Sequence, residues 1–295
     1  MTGVGDASPD RSGMGSIPGG LTDAYRECRR IARRYSSSFS LATLLLPADR
    51  RPHVYALYAF ARVADDIVDA PDRDPAETLT EFRRLVSQAM EGGEAPTPVI
   101  AAVANTATTL AIPSGAFDRF FHSMEMDLTV RQYATWDDLF GYMDGSAAVI
   151  GEMMLPILEP RDVAAALAPA RALGFAFQLT NFLRDIGEDL DRGRQYLPQA
   201  DLAEFGVDLS ARKVTPSFRD LMRFEIGRCR GLYRAAEPGV ALLPTRASRC
   251  VRTASALYER ILDEIEANDH DVFTHRATVA PVRKLVLAVG AVARH

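Results

Sequence analysis

Apolar positions recur every three or four residues along most of the chain, which is the spacing of amphipathic helices. The pattern predicts helices over 21–35, 53–69, 74–90, 99–110, 115–129, 136–157, 162–190, 215–234 and 249–268. No segment alternates like a strand, and loops carrying Pro and Gly, such as 191–198 and 237–244, separate the helices. We therefore predict an all-α fold in which residues 21–295 form one helical domain after a disordered tail, 1–20.

The predicted helix 53–69 is apolar except for one narrow polar stripe. The stripe consists of Arg62, Asp65, Asp66 and Asp69, which lie at i, i+3, i+4 and i+7 and so share one face. A helix that is apolar around most of its circumference is usually buried. Burying three carboxylates with one arginine is costly unless they are paired or bind a metal.

A second stripe occurs 120 residues later, in segment 174–198. Gln178, Asn181, Asp185 and Asp189 lie there at i, i+3, i+7 and i+11 among apolar and aromatic residues. Carboxylate and amide oxygens suit Mg²⁺, which usually binds through a few carboxylates plus substrate phosphates. The alternative is that both acidic clusters are exposed and paired with Arg62 and Arg184. Two such helices in one chain favour a shared metal site.

Composition narrows the classes of function. The 295 residues are 47% hydrophobic with a net charge of -5, so nucleic acid is not an expected partner. Cys28, Cys229 and Cys250 lack disulfide or metal-ligand spacing, which favours a cytoplasmic location. The longest uncharged stretch, 95–117, contains three prolines and argues against a membrane span. Any membrane contact is therefore expected to be peripheral.

Two segments carry a specific resemblance to a known family. ARVADDIVD, 61–69, and NFLRDIGEDLDRGRQYLP, 181–198, closely resemble the aspartate-rich motifs of the squalene and phytoene synthase family. RRYSSSFSLATLLLP, 33–47, GYMDGSAAVIGEMMLPIL, 141–158, and LYERILDEIEANDHDVFTHR, 257–276, also agree in order and spacing. The resemblance covers roughly residues 21–285.

The resemblance implies an isoprenoid-synthase helical bundle with a central active-site cavity. It further implies two or three Mg²⁺ ions, replaceable by Mn²⁺, and two allylic prenyl diphosphates joined head to head. The run 145–151 looks most like bacterial phytoene synthases, which implies geranylgeranyl diphosphate, prephytoene diphosphate and then phytoene, in carotenoid biosynthesis. Asp144 and Glu152 depart from the family pattern and would add carboxylates near the cavity.

The same resemblance assigns residues to roles. Asp65, Asp69, Asn181, Asp185 and Asp189 would hold metal, and the aspartates would be essential for catalysis. Tyr142 would assist deprotonation, a role the released diphosphate fills equally well. The substrate would be bound by Tyr35, Ser36, Ser38, Phe39, Tyr58, Arg62, Gln178, Asn181, Arg184, Tyr258 and Arg276, with Lys284 in the same C-terminal motif. For Arg62 and Arg184 the alternative is to orient aspartates, and for Ser36 and Ser38 it is a helix cap.

Other interpretations remain open at this point. Farnesyl diphosphate is the alternative substrate, leading to squalene, dehydrosqualene or presqualene diphosphate. A non-catalytic prenyl-lipid-binding or assembly-factor relative is the alternative class, although such a protein should have lost metal-binding aspartates. The sequence argues against NADPH, since no GxGxxG follows a predicted strand, and indicates no obligate protein partner. His122 and Glu125 form an isolated HxxE, which we interpret as structural.

Overall fold

A computed structural model describes residues 19–69 and 74–278, and the all-α prediction is confirmed in this part of the chain. Its helices are α1 (Gly19–Tyr35), α2 (Ser37–Thr43), α3 (Arg51–Val68), α4 (Pro75–Met90), α5 (Pro98–Thr109), α6 (Ser114–Thr129), α7 (Trp136–Met143), α8 (Val149–Leu158), α9 (Val163–Asp191), α10 (Gln199–Phe205), α11 (Pro216–Val240) and α12 (Thr245–Ala267). A π-helical turn, Asp144–Ala148, joins α7 to α8, and a 3-10 turn covers Leu209–Ala211. The described residues contain no strand, only an isolated bridge between Gln132 and Gln195.

Local sequence explains where several helices begin. Asp74, Thr97, Asp162 and Thr215 each accept a hydrogen bond from a backbone N–H of the first turn, as helix N-caps do. Thr135 and the third helical residue, Asp138, cap each other reciprocally at the start of α7. These caps place most helix starts within two residues of the predicted ones.

The prediction was incomplete or wrong at four places. It missed the two seven-residue helices α2 and α10, and it treated 136–157 as one regular helix where the π turn intervenes. It also placed a loop over 237–244, whereas α11 continues through Pro238 to Val240. The predicted tail lies outside the described residues except for Gly19 and Gly20, which belong to α1.

The helices pack around two main apolar clusters. The first unites α1, α3, α4, α5, α6 and α8, and centres on Phe60, whose ring contacts Phe82, Phe117, Phe120 and Phe121. The second joins α9 to α11 and α12. The polar stripes of α3 and α9 therefore belong to opposite halves of the bundle, and the site lies where the halves meet.

The helix α9 is the one described helix that is long and apolar enough to span a membrane, judged by length and composition alone. Its own contacts point to a different role. It packs against α8, α11 and α12, and it carries the second polar stripe.

The π turn packs closely against its neighbours because Gly145 within it and Gly174 on α9 lack side chains. A Cβ on Gly145 would clash with the Arg119 carbonyl and the Ser123 hydroxyl, and one on Gly174 would lie 2.5 Å from the Ala147 carbonyl oxygen. Glycine allows this close approach. The glycines thereby fix α6, the π turn and α9 beside the site.

Candidate active site

The first polar stripe lies at the C-terminal end of α3 and faces solvent. Arg62 donates to Asp66, and its guanidinium lies 4.3 Å from the ring centre of Tyr35, a cation–π distance. Asp65 and Asp66 are exposed, so the expectation that this stripe is buried was wrong. The physical reason is that the apolar faces of α3 are packed against other helices, while the polar stripe remains accessible to solvent.

Asp65 has an unusual environment for an exposed carboxylate. It is accessible to solvent, yet surrounding protein removes much of its hydration and raises its pKa to about 7. Arg62 opposes this rise, while Asp127, Asp69 and Asp66 add to it. Exposure together with lost hydration is expected of a group inside a cleft.

Asp185, on the second stripe, is clamped by two arginines. Arg184 donates from Nε and Nη2 over 2.7 and 2.5 Å, and Arg276 donates from the same two nitrogens over 2.8 and 3.1 Å. Burial acts to raise the pKa of Asp185, but the two arginines outweigh it and the pKa is lowered. In this structure Arg62 and Arg184 each pair with a neighbouring aspartate, Asp66 and Asp185 respectively.

Asp189 differs from Asp185 although it lies one turn away. Burial and the neighbouring Asp185 charge raise its pKa to about 7, against the opposing effect of Arg192 and Arg194. No hydrogen bond or ion pair to Asp65 or Asp189 is found within the described residues. The two aspartate doublets, Asp65/Asp69 and Asp185/Asp189, therefore share a pattern. Among the described residues, each has one carboxylate paired with arginine and one without a close counter-ion.

The loop after α9 brings the two doublets together. Arg194 donates to Asp69 over 2.8 Å, and Arg192 Nη1 lies 3.6 Å from the same carboxylate. Both arginines also interact electrostatically with Asp189. The stripes of α3 and α9 thus face one another across a pair of cations that the sequence reasoning did not single out. Arg194 was visible only as part of the quoted aspartate motif.

Asp127 of α6 is the second residue that the sequence reasoning missed. It is 6% exposed and accepts hydrogen bonds from the hydroxyls of Tyr142, at 2.6 Å, and Tyr196, at 3.3 Å. Burial raises its pKa, while Tyr142 and Arg194 oppose the rise. The sequence did contain a signal for a buried acid here. Asp127 follows Met124 by three residues, which places the aspartate on the apolar face of the helix.

The predicted Tyr142 lies beneath the acidic cluster. It is 2% exposed and its ring packs near those of Tyr133, Tyr196 and Phe182. Phe182 and Tyr196 stack at 3.9 Å. These rings form an aromatic layer next to the carboxylates, with Asp189 and Arg194 sharing a recess with Phe182 and Tyr196.

The serine motif and the C-terminal motif meet on the other side. Ser36 caps α2 by accepting from the Phe39 N–H over 3.3 Å, and its side chain also hydrogen-bonds Tyr258. Phe39 stacks on Tyr58 at 5.0 Å. Tyr258 is coupled electrostatically to Asp185 and to both of its arginines.

The remaining predicted residues differ in how closely the structure ties them to the cluster. Gln178 and Asn181 are half-buried on α9, about two turns and one turn before Asp185. Ser38 is half-buried in α2, and Tyr35 is 44% exposed. Lys284 lies outside the described residues.

Asp144 and Glu152 are engaged away from the aspartate doublets. Both carboxylates bind Arg119 and Arg171, with Arg119 donating to Asp144 at 3.1 Å and to Glu152 at 2.6 Å. Arginines from α6 and α9 therefore pair with both residues that depart from the family pattern. Glu125 likewise bonds Arg83 at 3.1 Å, in line with a structural role.

The donor set fits a divalent cation that is completed by its substrate. Asp65 and Asp189 are carboxylates without a close counter-ion in an acidic cluster, the situation that a bound cation relieves. Within 19–69 and 74–278, no three acidic, His or Cys side chains are grouped closely enough to hold a metal alone. Mg²⁺ commonly takes its other ligands from water and substrate phosphates.

Anion-binding groups surround these carboxylates. The Nε atoms of Arg62 and Arg194 are buried and have no hydrogen-bond partner among the residues that the structure describes. Arginine N–H groups recognise phosphate oxygens well. Fold and site together thus show an all-helical protein in which carboxylates and arginines meet beside an aromatic layer.

Comparison with known proteins identifies the family. The family model for squalene/phytoene synthase matches residues 32–283. A phytoene synthase from Arthrospira platensis is 37% identical over 286 residues, covering 91% of this chain and 92% of its own. Phytoene synthase 1, chloroplastic, from Arabidopsis thaliana is 36% identical, covering 91% of this chain and 67% of its own.

A solved structure agrees with this result. The crystal structure of a dehydrosqualene synthase in complex with a ligand superposes with a TM-score of 0.86 at 28% identity, covering 92% of this chain and 96% of its own. The chain belongs to the squalene/phytoene synthase family, whose members are prenyltransferases.

Proposed function

We propose that this enzyme condenses two geranylgeranyl diphosphates head to head, through prephytoene diphosphate, to phytoene in a Mg²⁺-dependent reaction. The observation that carries the proposal is that two kinds of unsatisfied group occur in one site. Within the described part of the chain, Asp65 and Asp189 lack a close counter-ion, and the Nε atoms of Arg62 and Arg194 lack a hydrogen-bond partner. Carboxylates of this kind suit a metal, and the arginines suit the diphosphate that the metal would accompany.

Asp65, Asp69, Asp185 and Asp189, with Asn181, would hold Mg²⁺, or Mn²⁺ in its place. When bound, the metal neutralises diphosphate charge so that this group can leave. Arg184 and Arg276 bring two positive charges to Asp185 and would contact the diphosphate beside it, while Ser36 and Tyr258 border the same area. In this proposal the protein places positive charges, from arginines and the bound metal, next to the diphosphate on which negative charge develops as it leaves.

The other half of the reaction needs a dry environment, because water intercepts allylic cations. Tyr58 stacked on Phe39 and the layer of Tyr142, Phe182 and Tyr196 offer ring faces on two sides of the acidic cluster. Aromatic faces attract cations. In this proposal Tyr142 acts as part of this layer, with its hydroxyl held by Asp127.

Sequence similarity supports the C20 substrate over farnesyl diphosphate. The relatives quoted above at 36–37% identity are phytoene synthases, whereas the dehydrosqualene synthase structure is 28% identical. We further propose a reducing, cytoplasmic location, in line with three buried free cysteines.

The decisive experiment incubates purified enzyme and Mg²⁺ with geranylgeranyl or farnesyl diphosphate, with and without NADPH, and identifies the hydrocarbons by mass. We expect a C40 product from the C20 substrate without NADPH. A product from the C15 substrate alone would overturn the phytoene assignment.

Asp65→Ala and Asp185→Ala should each abolish turnover while retaining helicity by circular dichroism. Turnover by neither wild type nor variants with either substrate would favour the non-catalytic alternative.

A further inference from the structure

Two segments of this acidic protein contain arginines but no acidic residue. Residues 28–48 hold Arg29, Arg30, Arg33 and Arg34, and residues 238–258 hold Arg246, Arg249 and Arg252. Asp and Glu outnumber Lys and Arg by 39 to 34 in the whole chain. Seven cations without an anion in these two stretches therefore oppose the overall charge balance.

The fold packs these two segments against each other. At one end Ser36 hydrogen-bonds Tyr258, and at the other Arg246 donates to the carbonyls of Leu45 and Leu46 over 3.2 and 3.3 Å. The segment running through α2 is therefore antiparallel to the first half of α12. Both acid-free segments contribute to one region of the surface.

Most of the arginines in this region have no carboxylate partner among the described residues. Only Arg30 is paired, with Glu27 at 2.5 Å. Arg29 and Arg33 are exposed and lie four residues apart, on one side of α1. Arg252 is exposed, and its Nε donates a hydrogen bond to the Ser248 hydroxyl over 3.3 Å. We call the exposed arginines Arg29, Arg33, Arg34, Arg246 and Arg252 the cationic face.

Large apolar side chains are exposed on the same segments. Tyr35 is 44% exposed and Leu44 is 40% exposed, at either end of α2, which as a seven-residue helix is about 10 Å long. Tyr35 also covers Arg62 at the edge of the candidate active site. Unpaired cations beside exposed apolar groups match the surface of an anionic bilayer, which offers phosphate charge next to hydrocarbon.

We propose that the cationic face, with Tyr35 and Leu44, docks this enzyme onto anionic phospholipid membranes beside the mouth of its active site. Charge complementarity selects the partner, because an acidic protein gains nothing from an anionic surface except through a locally cationic region. The purpose of docking rests on the proposed function: a C40 hydrocarbon is insoluble in water and leaves an active site most readily into a bilayer.

Vesicle flotation of the full-length protein, without substrate or Mg²⁺, tests the docking. We expect flotation with vesicles of equal parts phosphatidylglycerol and phosphatidylcholine, weakening as salt is added, and none with phosphatidylcholine alone. The test variant Arg33→Glu/Arg252→Glu should bind at least about tenfold more weakly, given the worth of each basic residue near a charged membrane. Leu44→Asp should also weaken binding.

The matched control is Lys213→Glu/Arg84→Glu, which reverses two exposed cations elsewhere and changes net charge equally. It should float as the wild type does. Equal loss in test and control variants, no flotation of the wild type, or equal binding to both vesicle types would overturn the proposal. So would displacement by inorganic diphosphate, which would make the face a site for the free anion.

Catalysis is measured separately, so that the two proposals can fail independently. In detergent-dispersed substrate, Arg33→Glu/Arg252→Glu should retain wild-type turnover, because neither residue contacts the aspartate doublets in the structure. An inactive wild type that still floats would contradict the proposed function and leave the docking intact. An active wild type that never floats would do the reverse.

Discussion

Arg194 donates a hydrogen bond over 2.8 Å to Asp69, which lies 125 residues earlier in the chain. This contact joins the loop after α9 to the end of α3. Arg194 is only 11% exposed. Burial lowers its pKa, but Tyr196, Asp69 and Asp127 together raise that pKa above the value of a free arginine. One arginine thus holds the two halves of the acidic cluster together.

Replacing Arg194 with Gln should lower kcat/KM by about 100-fold, the usual cost of one donor aimed at developing charge. The variant leaves Asp69 with the more distant Arg192 alone. Steady-state kinetics measures the effect, and urea unfolding separates it from lost stability. Arg212→Gln is the control, since its pair with Asp191 is exposed and should contribute less than about 1 kcal/mol. Wild-type kinetics in Arg194→Gln would contradict this role.

Asp127→Ala should destabilise the protein by about 1–3 kcal/mol, because it leaves the buried Tyr142 hydroxyl without its acceptor. Tyr142→Phe removes the other partner of the same bond. The two changes together should therefore cost less than the sum of their separate costs in urea unfolding. Strict additivity would mean that the 2.6 Å contact carries no coupling. Asp118→Asn, on an exposed acid of the same helix, serves as control.

Gly145→Ala should destabilise by about 1–3 kcal/mol, because the new methyl group meets the Arg119 backbone and the π turn has to shift. Gly227→Ala is a matched control in the interior of α11, where a Cβ meets nothing within 4 Å. That change should stabilise by about 0.5–1 kcal/mol through helix propensity. Thermal unfolding of both variants measures the contrast, and equal midpoints would show that the close approach is not limiting.

The sequence predicted the features that depend on local periodicity, such as helices and their polar faces. It did not predict features that depend on residues distant in the chain. The polar stripes of α3 and α9 were visible because helical spacing alone places their members on one face. Helix α2 was missed because its seven residues, SSFSLAT, are too few to show a helical period. The exposure of Asp65 was missed because hydrophobicity does not distinguish a packed interior from an open cleft.

Residue partners were the hardest feature to predict. The arginines that pair with Asp144 and Glu152 come from positions 119 and 171, on two other helices. Asp127 received no role because its hydrogen-bond donors, Tyr142 and Tyr196, lie on other elements. Such pairings are properties of the tertiary fold, and no spacing rule along one helix contains them.

A last prediction concerns a pair of buried acids outside the active site. Glu225 is fully buried on α11, Asp201 of α10 lies beside it, and Arg228 bonds both at 3.0 and 2.8 Å. The Arg228 guanidinium lies 4.1 Å from the ring centre of Trp136. Two carboxylates share one arginine here. Burial, with Asp201 adding to it and Arg228 opposing it, raises the pKa of Glu225 from 4.5 to about 8.

The sign of the pH effect follows from this shift. Between pH 4.5 and about 8 the unfolded chain releases the Glu225 proton while the folded protein keeps it, so this group lowers stability as pH rises.

Glu225→Gln cannot titrate and keeps a hydrogen-bonding side chain. Its stability relative to wild type should be near equal at pH 5 and greater by on the order of 2 kcal/mol at pH 8.5. Urea unfolding at both values measures the difference, with the exposed Glu204→Gln as control. A variant whose advantage shrinks as pH rises would show that Glu225 is ionised in the folded protein at neutral pH.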